Sequence, residues 1–173
     1  MLDATKRWYA VYTKSRFEKR VADELRKKEV EYYLPLQKSL RQWSDRKKYV
    51  DEPLFKSYVF VRVSNQDYLE VLKTTGVVCY VTIGREKIPI PDCQIEAVRT
   101  YLGEQTIDKA LNYFEVGNEV EIAYGSLRGL RGELIDAKDS RKLIIQIDAI
   151  NQNITITLPA HLLKKVIKPQ NSG

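Results

Sequence analysis

The chain of 173 residues is 43% hydrophobic and 30% charged, with a net charge of +6 and an isoelectric point of about 9.2. That is the make-up of a globular protein with one good core or two small ones. It excludes a disulfide framework or a zinc site of standard spacing, because Cys79 and Cys93 are the only cysteines.

No apolar run approaches the roughly 20 residues of a membrane span. Met1 to Arg7 lack the apolar stretch of a secretion signal. A cytoplasmic location with no membrane partner is therefore expected. The basic excess is one-sided: residues 1–50 hold 14 Lys and Arg against 7 Asp and Glu, and the rest hold 15 against 16. A basic half suggests a polyanion, most simply nucleic acid. A solvated basic surface with no ligand has the same signature.

Trp8 to Thr13 is aromatic, β-branched and short, and reads as a strand. Ser15 with Glu18 three residues on has the capping-box pattern, so a helix is expected to start there. Phe17, Val21 and Leu25, with Ala22, make one apolar stripe, and Arg16, Lys19, Arg20, Asp23, Lys27 and Lys28 cover the other sides. Glu29 to Glu31 end that helix. Tyr32 to Leu36 reads as a second strand, with Pro35 favouring a sheet edge or a strand end.

Gln37 to Val50 is basic and polar, with Ser44 to Lys47 as turn chemistry. It reads as a protruding hairpin with Trp43 and Tyr49 near its arms. Such a hairpin suits nucleic acid, or it is simply solvated.

Pro53 to Val63 is the strongest strand signal of the first half. Val59, Val61 and Val63 share one face, and Tyr58, Phe60 and Arg62 the other. The valine face reads as core. The aromatic face suits either a protein contact or a covering helix of the same domain.

A short helix is expected over Tyr68 to Lys73, stopped by Gly76, then a strand over Val77 to Ile83. Asp92 caps a further helix with the stripe Ile95, Val98 and Leu102, ended by Gly103. This order argues for an α+β domain over residues 1–103. The polar segment 104–113 reads as a linker. From 114 to 173 only strand periodicity remains, punctuated by Gly117, Gly125, Gly129 and Gly132. Five short strands there suggest a small barrel, and Pro169 to Gly173 looks frayed.

Little of this is catalytic chemistry. Gly125, Gly129 and Gly132 lack the Gly-Lys-Ser/Thr ending of a phosphate loop and read as turn glycines. His161 is the only histidine, so no Ser/His/Asp or Cys/His set can be assembled. Cys79 is expected to be a core thiol. Cys93, at a helix start, could have a lowered pKa. Asp45, Asp51 and Glu52 look like solvated charges. No enzyme, cofactor or metal is expected.

Two segments carry a resemblance. Trp8 to Thr13, the helix after it, and Pro53-Leu54-Phe55-x-x-Tyr58-Val59-Phe60-Val61 resemble the N-terminal (NGN) domain of NusG-type transcription elongation factors. Phe114 to Ile122, followed by Gly125-x-x-x-Gly129-x-x-Gly132, is similar to a KOW motif. The resemblance covers about residues 6–168. It implies that the first domain sits on the clamp helices of RNA polymerase through Tyr12, Phe55, Tyr58 and Phe60. It also implies that the factor suppresses pausing or termination, and that the second domain is an SH3-like barrel for partners such as a ribosomal protein or Rho.

Lys56-Ser57 stands where general members have Pro-Gly. With the Trp43 hairpin and Gln152-Asn153-Ile154, it looks closer to the RfaH-like and UpxY-like antiterminators, which read non-template DNA at chosen operons. The resemblance makes Lys14, Arg16, Arg20, Lys73 and Thr74 the candidates for that DNA contact, with Asp23 and Glu24 interrupting the positive face. A general NusG-like role, or a nucleic-acid-binding module independent of polymerase, remains the alternative.

Overall fold

In a computed structural model, the structure describes residues 5–103, 116–123, 125–136, 141–158 and 162–166. The expected linker 104–113, His161 and the C-terminal segment from Pro169 lie outside them. The chain divides into two units, Met1–Pro91 and Asp92–Gly173.

The first unit runs β1 (Arg7–Thr13), α1 (Glu18–Lys27), β2 (Glu31–Tyr33), β3 (Leu36–Gln42), β4 (Lys47–Pro53), β5 (Tyr58–Val63), α2 (Tyr68–Leu72), β6 (Val77–Tyr80), β7 (Thr82–Ile83) and β8 (Glu86–Lys87). Its main sheet has the order β2-β5-β1-β6, antiparallel throughout. Alternation sends Val59, Val61 and Val63 of β5 and Val11 of β1 to one face. There they pack with Val21 and Leu25 of α1 and Val71 of α2, as the sequence stripes require. Strands β3 and β4 form a separate hairpin, closed by the Trp43 N–H donating to the Arg46 carbonyl at 2.8 Å.

The expected cap of α1 does not form. Phe17 is the N-cap residue, and no side chain caps the helix among the described residues. Glu18 reaches away from its own helix instead, and accepts a hydrogen bond from the Ser57 backbone N–H at 2.7 Å. Residue Arg16, with φ +64°, turns the chain between β1 and α1.

The second unit holds α3 (Asp92–Tyr101), β9 (Glu119–Ile122), β10 (Arg131–Asp136), β11 (Arg141–Ile147), a 3-10 turn (Asp148–Ile150), β12 (Gln152–Leu158) and β13 (Leu163–Lys165). Its five strands form one antiparallel sheet in the order β12-β11-β10-β9-β13. Val120, Ile122, Leu134, Leu143, Ile145 and Ile156 are buried at 1% exposure or less. Glu121 ties β9 to both neighbours, pairing with Arg131 at 3.0 Å and Lys164 at 2.9 Å, each directly opposite it in register. Helix α3 packs beside β12, and Gln94 Nε2 donates to Asp148 Oδ2 at 2.9 Å.

Candidate functional site

The register of the first sheet aligns three side chains across β5, β1 and β6. Tyr12 faces Tyr58 on one side and Cys79 on the other. Tyr12 is 42% exposed and Tyr58 half-buried. Their rings meet edge to face at 5.5 Å, a geometry in which each ring fixes the other. Cys79 is exposed, which corrects the expectation of a core thiol. It shares the Tyr12 face rather than the valine face, and β6 is an edge strand.

The next row of the same face is different. Phe60 is fully buried and Phe55 is 6% exposed. They meet edge to face at 5.9 Å, and Phe60 stacks on Tyr33 at 6.3 Å. Neither phenylalanine presents a surface, contrary to the expectation that both make contacts. Large apolar rings on a sheet face gain most by burial against one another. Phe60 lies beside the tyrosine pair on the same sheet face, two residues along β5 from Tyr58.

The expected basic contacts separate into groups. Lys14, Arg16 and Arg20 are exposed, and the Arg20 guanidinium lies 5.5 Å from the centre of the Phe17 ring. Lys73 is exposed and pairs with Glu70 at 3.1 Å. Thr74 is corrected: it is 2% exposed. Its hydroxyl donates to the Glu70 carbonyl at 3.0 Å and accepts from Lys28 Nζ at 3.1 Å, so it has no free edge for a ligand. On the solvated side of α1, Asp23 pairs with Arg26 at 3.0 Å and Glu24 with Lys27 at 2.8 Å. The Lys27 ammonium holds the Glu24 carboxyl below the usual carboxylate range. That face is internally neutralised.

A groove of about 840 Å³ runs between the loop entering α1 and the β3–β4 hairpin. Arg16, Lys19, Trp43, Asp51 and Lys56 are among its lining residues. The indole of Trp43 is 60% exposed. Sequence reading placed Trp43 on a hairpin but had no signal that α1 closes a groove against it.

Cys93 does not have the lowered pKa its helix-start position suggested. Burial pushes its thiol up. Among the described residues no group of His, Cys, Asp and Glu could hold a metal ion, and no helix is long and apolar enough to cross a membrane.

The sequence model of the family described as transcription termination factor nusG matches residues 6–99, more than half of the chain. The chain belongs to the NusG family. It is thus a member of a family of transcription factors, and the matched segment contains the tyrosine row and the groove. Among solved structures, one of Thermotoga maritima NusG, described for its domain interaction, is 22% identical with a TM-score of 0.55. The match covers 94% of this chain and 98% of that one, and shows likeness of fold. A structure of the MjSpt4:Spt5 complex is 24% identical over 95% of this chain and 99% of that one, with a TM-score of 0.30.

Proposed function

We propose that this NusG-family protein binds RNA polymerase through the face centred on Tyr12 and Tyr58, with the packed pair Phe55 and Phe60 at its side. Bound there, it suppresses pausing or termination as an antiterminator of the specialised RfaH-like or UpxY-like kind. The non-template DNA strand passes over Lys14, Arg16, Arg20 and Lys73. Residues 1–103 are the NGN-type domain, 104–113 the linker, and 114–173 an SH3-like KOW barrel that takes a further partner such as a ribosomal protein or Rho.

The observation that carries this reading is a mutually braced tyrosine pair, Tyr12 exposed and Tyr58 half-buried, on a sheet of the family-matched segment. Exposed aromatics held rigid by neighbours are what interface hot spots are made of. Support for the specialised kind comes from Lys56-Ser57 in place of Pro-Gly and from the basic Trp43 hairpin.

The test is binding of Tyr12→Ala and Tyr58→Ala proteins to core polymerase. Loss of about 2 kcal/mol per anchor, roughly 30-fold, is expected. Folded variants that bind as tightly as the parent would overturn the assignment. The one-sided basic charge favours a second reading, a nucleic-acid-binding module that works without polymerase. Steeply salt-dependent binding to single strands, with no affinity for polymerase, would select it.

A further inference from the structure

We propose that Lys87 is a modification site. Its ammonium, seated among the rings of Tyr9, Tyr68 and Tyr80, latches the strap of residues 82–89 onto the first unit, and transfer of an acyl group to its Nζ from an acyl phosphate releases the latch.

Both ends of the strap are tied to β1. The Val81 N–H donates to the Ala10 carbonyl at 2.9 Å, and the Ile90 N–H donates to the Trp8 carbonyl at 2.8 Å. Between these ties, β7 and β8 are two residues each and turn at Gly84, with φ +63°. Ile83 is exposed, so little apolar burial holds the middle of the strap down. Lys87 holds it. Its Nζ lies 3.8 Å from the centre of the Tyr68 ring, 5.5 Å from that of Tyr9 and 5.7 Å from that of Tyr80. Tyr68 of α2 stacks on Tyr80 of β6 at 4.5 Å, and Tyr9 of β1 meets Tyr80 edge to face at 6.0 Å. Three elements thus build one aromatic cage around a cation from a fourth.

The charge itself makes the contact. Lys27, Lys73 and Lys164 spend theirs on Glu24, Glu70 and Glu121. Lys87 has no ion pair among the described residues, and its one polar neighbour there is Asn65 Oδ1 at 3.5 Å. Asp67, the carboxylate whose charge reaches Tyr80, is turned to Ser64. The ring faces favour the ammonium, while burial opposes it and lowers its pKa. A neutral amine is the nucleophile. It attacks the carbonyl carbon of the acyl phosphate, a C–N bond forms, the C–O bond to phosphate breaks, phosphate leaves, and the ammonium proton goes to solvent. The amide that results carries no charge for the rings to attract.

The test uses the full chain, acetyl phosphate as donor, and hydrogen exchange of the amides of residues 82–88. Mass mapping is expected to find Lys87 acetylated at least as fast as Lys27 and Lys73. Lys87→Gln, which copies the acylated state, and Lys87→Met, which keeps an unbranched stem, are each expected to speed strap exchange about tenfold. Lys87→Arg keeps a cation and is expected to exchange like the parent. Acetyl phosphate should speed strap exchange in the parent and leave it unchanged in Lys87→Arg.

Lys87 left unmodified while Lys27 and Lys73 are acetylated would overturn the modification site. Parent-like exchange in Lys87→Gln would overturn the latch. So would parent-like exchange in Lys87→Met, since the stem and not the charge would then hold the strap. Acceleration spread over the whole first unit would likewise overturn a local latch. None of these readings needs polymerase, so they stand or fall apart from the proposed function.

Discussion

The backbone N–H of Ser57 donates to Glu18 Oε1 at 2.7 Å, across 39 residues of sequence. Ser57 sits at φ +65°, in the left-handed region that costs a non-glycine residue about 1–2 kcal/mol. The Glu18 carboxylate helps to hold it there.

Glu18→Ala leaves that N–H without its acceptor and is expected to lower stability by about 1–3 kcal/mol. Ser57→Gly should do the reverse. It removes the left-handed penalty, offset by about 0.5–1 kcal/mol for glycine's greater freedom in the unfolded chain. The net gain is up to about 1 kcal/mol. Urea unfolding of both variants reads the two effects, and a destabilised Ser57→Gly protein would show that the serine itself is needed.

Tyr80 offers a test of a buried polar group. Its side chain is 3% exposed and its hydroxyl has no hydrogen-bond partner among the described residues. Burial pushes the phenol pKa far up. The ring stacks on Tyr68 at 4.5 Å, and Lys87 Nζ lies over Tyr68 at 3.8 Å. Tyr80→Phe keeps the ring and removes the unpartnered hydroxyl. Stability is expected to hold or rise by about 1 kcal/mol, read as a higher urea midpoint at unchanged slope. A clear loss would mean that the hydroxyl has a partner.

Two glycines report on the two units separately. A methyl at Gly76, where φ is +98°, would sit 2.8 Å from Phe17 Cδ1 and 2.9 Å from Val21 Cγ2. A methyl at Gly132 would sit 2.6 Å from the Ile144 carbonyl oxygen, which belongs to the neighbouring strand. Gly76→Ala is expected to cost about 2–4 kcal/mol, and Gly132→Ala, where only the clash acts, about 1–3 kcal/mol. Hydrogen exchange should speed up around α1 for Gly76→Ala and across β10 and β11 for Gly132→Ala. Uniform acceleration in both units would indicate a single cooperative fold.

Asp67 sets a pH dependence. Its Oδ2 accepts from the Ser64 hydroxyl at 2.8 Å and from the Ser64 N–H at 3.2 Å. The hydroxyl bond, then the backbone bond, lower the folded pKa beneath the ordinary 3.8. The unfolded state therefore binds the proton more readily. The stabilisation is fully present above pH 3.8 and is lost as pH falls through the lowered folded value. Asp67→Asn should flatten this acid limb, with parent and variant converging at the lowest pH. Parallel curves for the two proteins would contradict the assignment.

What the sequence made legible is what periodicity encodes. The valine face of β5, the stripe of α1, the β3–β4 hairpin and the strands of the second half all follow from spacings within one element. What it hid depends on partners far along the chain. Phe60 alternates like a surface residue, but Phe55 and Tyr33 bury it. Cys79 sits in an apolar run, yet its strand lies at the sheet edge and its side chain points away from the valines. Ser15 and Glu18 match a capping box, but Ser57 offers Glu18 a better donor. Thr74 is polar and follows a helix, and only Lys28 and the Glu70 carbonyl reveal that its hydroxyl is taken. Site residues were thus easier to place on an element than on a face.

The Thr13 N–H donates to the Ser57 carbonyl at 2.8 Å, so Thr13, Ser57 and Glu18 form a single backbone knot. Tyr12 and Tyr58 lie one residue from it, and so do Lys56 and Lys19. The proposed seat for polymerase and the exposed cations Lys56 and Lys19 therefore hang from the same few peptide groups. Loosening any one of Thr13, Ser57 and Glu18 is therefore expected to loosen Tyr12 and Tyr58 together.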